Sequence, residues 1–350
     1  MPSRRQNLKV MNSLTDDLLS AVILARKLIN VINHQPSQAI PTLLPIGIVQ
    51  VKGNFLVHLI DPSRLDFTPS FFRQSIPDVR PVDKILHLKE WLLENKVYGS
   101  EDNFENTCGI FHVSRCGSTL LAENLKATGQ FVVLSEASLL GKSLKHDALS
   151  DQVFTTSVAL WQNWARYQNK KLLIKFSSRN HYHAKLVMNV LDRARFVFLY
   201  REPVGVLESL TRKPPYFIKR AIDLIDETTI PELECHTKRG PAFMATKTYC
   251  IVLDTFLKIS HHNLIAVNYE DLRSSYPDIL AHFKLNFSDN LALWDDRMNA
   301  KWTGRVQPIY IPIKPGTLRE YASKGAKFIS IARLYFNRYQ KYCDKHMAKI

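Results

Sequence analysis

Short apolar segments alternate with amphipathic segments along the last two-thirds of the chain. The apolar segments predict five buried strands, at residues 109–114, 131–135, 171–177, 195–200 and 263–268. The amphipathic segments between them predict five helices, at residues 118–127, 152–168, 181–192, 203–211 and 242–260. Because short apolar strands separated by helices are typical of a sheet covered on both faces, we predict an α/β fold with a parallel sheet flanked by helices.

The first hundred residues follow a different pattern. Residues 1–35 have the periodicity of an amphipathic helix, and residues 83–96 predict a second helix. Residues 46–60 alternate apolar and polar positions around a central Lys52-Gly53-Asn54, which predicts a β-hairpin. This part of the chain is therefore expected to be a small α+β region.

A polar segment at residues 97–107 separates these two patterns and predicts a linker. We therefore divide the chain into an accessory region, residues 1–105, and a larger domain, residues 106–350. A length of 350 residues accommodates one large domain with an accessory one, and 45% apolar with 23% charged residues is ordinary for a folded protein.

Net charge is the unusual feature of the composition, at +15. It indicates either a merely basic surface or a polyanionic partner, such as nucleic acid, an anionic membrane or a nucleotide with several phosphates. The five cysteines form no CxxC pair, so we expect neither a disulfide framework nor a metal site. No apolar segment approaches 18 residues and no signal peptide is recognisable, so we expect a cytoplasmic protein without a membrane span.

Residues 110–119 read IFHVSRCGST, an apolar strand followed by a turn and the start of a helix. The turn places the cation of Arg115, the hydroxyls of Ser118 and Thr119, and the backbone N–H groups around Cys116 and Gly117 at the positive end of the helix. This arrangement is suited to binding a phosphate or a similar oxyanion.

The loop differs from the nucleoside-triphosphate loop GxxxxGK[ST]. His112 stands where that loop has its first Gly, and Ser118 stands where it has its Lys. No predicted strand ends in a convincing magnesium-binding Asp. An ATP-dependent kinase is therefore disfavoured and is kept as an alternative.

A second strand and helix, residues 195–211, read RFVFLYREPVGVLESLT. The strand delivers Arg201 at its end, Pro203 begins the helix, and Ser209 lies two turns further on. Arg201 and Ser209 could bind one phosphate together. The alternative is a surface Arg–Glu pair with an unrelated helical Ser.

Together, SRCGSTLL and FVFLYREPVGVLESL resemble the two cofactor motifs of the sulfotransferase family, and NLIAVNYEDL resembles a later family segment. The resemblance covers residues 109–272 and implies a P-loop-like sulfotransferase core. It implies that 3′-phosphoadenosine-5′-phosphosulfate (PAPS) binds with its 5′-phosphosulfate at Arg115, Cys116, Gly117, Ser118 and Thr119. Its 3′-phosphate would then bind to Arg201 and Ser209. The family usually has Ser where this chain has Cys116, for which we consider a small binding residue or an acidified thiol.

The catalytic residues are similar to those of the tyrosylprotein sulfotransferase branch, which implies catalytic roles for Arg115, Glu136 and Lys175. Glu136 would be the general base, and the two cations would stabilise the leaving 5′-phosphate. From the residues alone, Glu136 is also explained as a helix N-cap or an ion-pair partner of Arg115, and Lys175 as a sheet-edge ion pair. His181 and His183 are alternative bases.

The expected activity is transfer of a sulfuryl group from PAPS to a hydroxyl or amine of a small-molecule acceptor, with release of 3′-phosphoadenosine-5′-phosphate (PAP). The alternatives are the kinase and a basic nucleic-acid-binding protein. Because the basic residues are dispersed, we expect no nucleic-acid partner. Residues 1–105 could shape the acceptor pocket or form a homodimer. Residues 212–247 suggest a lid, and Lys301 and Arg305 are candidates for further cofactor contacts.

Overall fold

The apolar segments of the chain form two β-sheets. The computed structural model describes residues 41–95, 104–144, 150–212, 230–234, 241–285 and 315–346. The strands in these ranges are β1 (Leu44–Val51), β2 (Asn54–Ile60), β3 (Lys84–His87), β4 (Thr107–His112), β5 (Phe131–Ser135), β6 (Lys171–Lys175), β7 (Arg195–Tyr200) and β8 (Leu264–Asn268).

Helices connect and cover the strands. In the described ranges the α-helices are α1 (Phe72–Ser75), α2 (Leu88–Glu94), α3 (Ser118–Ala127), α4 (Ser138–Ser143), α5 (Ser150–Tyr167), α6 (Ala184–Val190), α7 (Pro203–Arg212), α8 (Pro231–Glu234), α9 (Pro241–Leu257), α10 (Tyr276–His282) and α11 (Pro315–His346). Short 3₁₀ helices span Pro62–Arg64, Ser178–His183 and Tyr269–Asp271. None of the described helices is long and apolar enough to cross a bilayer.

The larger sheet has five strands in the order β5-β6-β4-β7-β8, and every neighbouring pair is parallel. The structure confirms the predicted α/β fold with a parallel sheet flanked by helices. All five predicted strands are present, and their ends differ from the prediction by two residues at most. Because the strands are parallel, the residues that follow them lie along one edge of the sheet.

The smaller sheet is antiparallel and contains the predicted hairpin. Val51 pairs with Asn54, and the two residues between them, Lys52 and Gly53, have φ angles of 48° and 83°. Positive φ at both central positions is the type I′ turn that fits the twist of a hairpin.

Two predicted helices were wrong in part. Residues 84–87, at the start of the helix predicted over 83–96, form β3 and pair with β2, so the helix is confined to Leu88–Glu94. Pairing with the open edge of β2 overrides the local pattern there. The helix predicted over 181–192 begins as the 3₁₀ helix Ser178–His183, which Ser177 and Asn180 cap reciprocally.

One hydrophobic core connects the two sheets. Where the core meets the smaller sheet, the buried Trp161 of α5 donates from its indole Nε1 to the carbonyl oxygen of Pro45 in β1 over 2.9 Å. On the opposite side, Phe198 of β7 stacks on Phe256 of α9 with ring centres 3.8 Å apart and meets Tyr339 of α11 edge-on. The predicted division at residue 105 stays a prediction.

The predicted N-terminal helix over residues 1–35 lies outside the described residues. So do Lys301 and Arg305, and most of the predicted lid segment 212–247.

Trp161→Phe should lower the free energy of unfolding by about 1–3 kcal/mol, because the buried carbonyl of Pro45 loses its donor. Chemical denaturation measures this. The matched control is Tyr167→Phe on the same helix, which removes a hydroxyl from a side chain that is 58% exposed and should change stability by less than about 0.5 kcal/mol. Equal effects of the two variants would show that the Trp161 hydrogen bond does not stabilise the core.

Candidate active site

Polar side chains from all five parallel strands lie along the carboxyl edge of the larger sheet. In the order of the strands, they are Glu136 after β5, Lys175 at the end of β6, Arg115 after β4, Arg201 after β7 and Tyr269 after β8. Adjacent strands lie about 4.8 Å apart, so Glu136 and Arg201 are separated by three strand spacings, or about 14 Å. The sequence-predicted catalytic and phosphate-binding residues thus form one row.

The loop between β4 and α3, residues 113–117, lies in the middle of this row and is called the binding loop below. Its backbone is constrained. Arg115 and Gly117 both have left-handed φ angles, of 62° and 79°, and α3 begins directly after Gly117. The ring of Tyr269 packs so closely that a Cβ added to Gly117 would lie 2.6 Å from its Cε2. The first N–H groups of a helix have no carbonyl partner within it. The N-terminus of α3 therefore lies directly after the loop that carries Arg115, an arrangement suited to binding an oxyanion.

Cys116 points away from the open edge of the sheet. Its thiol is fully buried and donates to the carbonyl oxygen of Leu199, at a distance of 3.4 Å from Sγ. Burial raises the pKa of this thiol to about 12. The environment therefore favours a small binding-loop residue over an acidified thiol.

Arg201 is fixed from several sides. Its Nη1 donates to the carbonyl oxygen of Arg115 at 3.3 Å, its guanidinium carbon lies 4.2 Å from the ring centre of Tyr269, and its Nε lies 3.7 Å from Oε1 of Glu270. The hydroxyl of Tyr249 donates to the Arg201 carbonyl oxygen over 2.6 Å. These contacts tie the end of β7 to the binding loop, because Arg201 bridges from one to the other.

Ser209 lies on the side of α7 that faces Arg201. A Cβ added to Gly205 would lie 3.3 Å from the Arg201 guanidinium carbon, and residues four apart share a helix face. The half-buried Ser209 is one turn beyond Gly205. Glu202, the carboxylate of the alternative surface pair, instead accepts from the Val204 N–H and pairs with Arg333.

Glu136 and Lys175 form an ion pair between Oε1 and Nζ. The Lys175 side chain has no exposed surface, whereas that of Glu136 is 34% exposed. The Glu136 N–H also donates to the Lys175 carbonyl oxygen, and Glu136 has a left-handed φ of 53°. The alternative of a sheet-edge ion pair for Lys175 is therefore present, with Glu136 as its partner. One carboxylate faces solvent and is held by a buried cation.

The two candidate histidines differ in environment. His181 is buried, with Nδ1 in contact with the carbonyl oxygen of Ser178, and burial lowers its pKa to about 4. His183 is half-buried at the start of α6. Among the described residues, no group of three or more His, Cys, Asp and Glu side chains is arranged to bind a metal ion.

Three contacts at this edge were not predicted from the sequence. The hydroxyl of Ser114 donates to that of Ser178 over 2.9 Å, which links the binding loop to the segment after β6. Tyr269 supports both Gly117 and Arg201. The signal for Tyr269 is its place directly after the last parallel strand, which is the position that Glu136 has after β5 and Arg201 has after β7.

Comparison with protein-family models finds no match, and neither does comparison with curated proteins.

Comparison with solved structures finds distant likenesses to sulfotransferases. The sulfotransferase domain from the curacin biosynthetic pathway is 14% identical, with a TM-score of 0.36, and the match covers 69% of this chain and 98% of that chain. The sulfotransferase domain from the Synechococcus PCC 7002 olefin synthase is 17% identical, with a TM-score of 0.35 and coverage of 65% and 94%. A mouse sulfotransferase complexed with PAP is 12% identical, with a TM-score of 0.36 and coverage of 84% and 99%. We draw no conclusion about function from likenesses this distant.

Gly117→Ala should destabilise the protein more than Gly129→Ala. Both glycines have left-handed φ, so each substitution carries about 1 kcal/mol of backbone strain. Only at Gly117 would the new Cβ collide with a ring, whereas nothing lies within 4 Å of a Cβ at Gly129, and overpacking of that kind adds about 1–3 kcal/mol. Urea denaturation of the two variants measures the difference. Equal losses of stability would show that Tyr269 does not pack against the loop.

Proposed function

We propose that this protein is a sulfotransferase, which transfers a sulfuryl group from PAPS to a hydroxyl or amine of a small-molecule acceptor and releases PAP. The observation that carries the proposal is the order of side chains along the sheet edge. A solvent-accessible carboxylate, a buried ammonium, a cationic loop at a helix N-terminus and a second arginine follow one another on neighbouring strands. Sulfuryl transfer from PAPS uses a proton acceptor, cations for the leaving 5′-phosphate and a site for the 3′-phosphate.

The two ends of the donor fit two neighbouring positions in the row. Arg115 and the N-terminus of α3 would hold the 5′-phosphosulfate, together with the backbone around Cys116 and the hydroxyls of Ser118 and Thr119. Arg201 and Ser209 would hold the 3′-phosphate. Because β4 and β7 are adjacent, these two anion sites lie side by side, as do the 3′ and 5′ substituents of one ribose.

Glu136, Arg115 and Lys175 would share the chemistry. PAPS supplies the sulfuryl group, and the carboxylate of Glu136 is exposed enough to accept the proton that the acceptor loses. Arg115, Lys175 and the N–H groups of α3 would stabilise the negative charge that develops on the 5′-phosphate oxygen. Protonation removes the charge of Glu136, which weakens its hold on the Lys175 ammonium and leaves an N–H donor of that group for the phosphate.

An ATP-dependent kinase fits this edge less well. Catalysis by a kinase needs a carboxylate that coordinates magnesium near the loop. Among the described residues at this edge, Glu136 pairs with Lys175 and Glu270 pairs with Arg201. A small-molecule acceptor, cytoplasmic location and homodimerisation stay predictions.

Arg201→Ala should weaken the binding of PAP by about 1.5–3 kcal/mol, because a charge-assisted contact to the 3′-phosphate is lost. Isothermal titration calorimetry at low salt measures this, and binding to the unmodified protein should weaken steeply as salt rises. Arg201→Lys should give an intermediate loss, since it keeps the charge without the planar fork of donors.

The matched control is Arg195→Ala, which removes an arginine from the opposite end of the same strand. It should leave PAP affinity unchanged apart from a small non-specific effect of charge. Failure of the unmodified protein to bind PAP at low salt would overturn the proposed function. Unchanged affinity in Arg201→Ala would show that the 3′-phosphate binds elsewhere.

Glu136→Gln should lower kcat by about 10²–10⁴-fold, because the amide cannot accept the proton. PAP affinity should change by only a few-fold. Steady-state PAP release with 4-nitrophenol as the hydroxyl acceptor measures kcat, and calorimetry measures affinity.

Glu105→Gln is the control, since Glu105 forms a half-exposed ion pair with Arg193 away from the carboxyl edge. It should retain full kcat. Full turnover in Glu136→Gln would assign the base to another residue, and His183→Ala and His181→Ala would then be measured in that order because His181 is buried.

A further inference from the structure

His112 is a buried polar residue without a role in the proposed chemistry. It is the last residue of β4, directly before the binding loop, and it is 6% exposed. Its Nε2 is buried and has no hydrogen-bond partner. A buried polar atom without a partner lowers the stability of the fold. The unpartnered Nε2 next to the candidate active site therefore needs a physical explanation.

The free ring nitrogen is an acceptor. Nδ1 lies 3.0 Å from the carbonyl oxygen of Val113, which can only accept, so Nδ1 carries the proton and Nε2 carries the lone pair. Burial and the nearby Lys175 ammonium lower the pKa of His112 to about 4. The ring is therefore neutral at neutral pH and keeps the lone pair on Nε2.

His112 and Lys175 share one face of the sheet. Phe111 and Phe176 stack with ring centres 4.3 Å apart, so they lie together on the other face. Side chains alternate along a strand, which places the preceding Lys175 and the following His112 on the face opposite these rings. β4 and β6 are hydrogen-bonded neighbours in this sheet. The Nε2 acceptor and the buried ammonium therefore lie on adjacent strands of the same face.

Lys175 loses its charged partner when Glu136 accepts a proton, because a neutral carboxyl group keeps only the weaker acceptor capacity of its carbonyl oxygen. An ammonium carries three N–H donors, and in the structure Glu136 accepts one of them. The Lys175 side chain has no exposed surface, so solvent does not replace Glu136 when that carboxylate is protonated.

We propose that His112 is a positioning residue for Lys175, whose ammonium donates a hydrogen bond to the His112 Nε2 lone pair once Glu136 has accepted a proton. The inference rests on the proposed function, since it assigns Glu136 as the proton acceptor. No proton moves to His112, and no bond changes there. The ring keeps the ammonium in place while the carboxylate that held it is neutral.

Two substitutions separate the ring nitrogens. The amide of His112→Asn occupies the position of Nδ1 and keeps the contact with Val113, whereas the longer side chain of His112→Gln places an acceptor at the position of Nε2. With PAPS and 4-nitrophenol, His112→Asn should lower kcat about tenfold or more with unchanged PAP affinity, and His112→Gln should restore kcat to within about threefold of the unmodified protein. Equal activity of the two variants, at either level, would overturn the inference.

Ser135 offers a competing acceptor. Its Oγ is also buried without a hydrogen-bond partner, and Ser135 pairs with Lys175 in the register of β5 and β6. Ser135→Ala should leave kcat unchanged if His112 is the acceptor. A loss of kcat in Ser135→Ala with none in His112→Asn would assign the role to Ser135 and overturn the inference.

A second measurement does not depend on activity. Glu136→Gln imitates the protonated carboxylate, so in the full-length protein with ¹⁵N-labelled histidine the Nε2 resonance of His112 should move to the position of a hydrogen-bonded acceptor. Adding Lys175→Met should reverse the movement. His112→Asn identifies the resonance by its disappearance.

An unmoved Nε2 resonance in Glu136→Gln would contradict the inference, whatever the activity of the protein. If the unmodified protein neither binds PAP nor transfers a sulfuryl group, the proposed function fails. The resonance then still decides whether His112 holds Lys175, so the two failures are distinguishable.

Discussion

Parallel backbone pairing of β4 with β6 and β7 is the constraint on which the site depends. The pairing aligns Ile110 with Lys175 and His112 with Leu199, so the residues that follow these three strands leave the same edge of the sheet. Segments separated by up to about 90 positions in the sequence thereby contribute to one edge. Ligands of open α/β sheets bind at this edge for the same geometric reason. The apolar strands therefore do more than fill a core, because their register decides which polar side chains meet.

Burial of the Lys175 ammonium is the most demanding feature of the edge. A charge without solvent needs a close partner, and the partner here is a carboxylate at the end of the neighbouring strand. Glu136 holds this position with a left-handed backbone, a conformation that costs about 1–3 kcal/mol for a residue other than glycine. Arg115 has the same kind of backbone in the adjacent loop. The backbone strain at Glu136 and Arg115 thus occurs where charged side chains meet, and the hydrogen bonds of the sheet maintain these two conformations.

The sequence was informative where local pattern decides the structure. Nearly continuous apolar segments located every strand of the larger sheet, and Lys52-Gly53 located the hairpin turn. Residues 84–87 were misassigned because their strand exists only through its pairing with β2, which lies about 25 residues earlier. Glu136 and Lys175 could be named as site residues, but their ion pair depends on the register of β5 and β6 and was not predictable from spacing. The unpartnered Nε2 of His112 was likewise not predictable, since only the folded structure shows which acceptors have a partner.

The contact between Trp161 and Pro45 also bears on how the protein can be handled. The predicted division at residue 105 rests on the polar segment 97–107, yet the indole of Trp161 donates to Pro45 in β1 and lies nearly perpendicular to the rings of Phe67 and Phe72. A fragment truncated to the larger domain would leave this aromatic surface uncovered. Exposed aromatic patches of that kind promote self-association. Residues 41–95 thus act as an intramolecular cover for Trp161 on α5, and recombinant fragments designed for solubility should retain them.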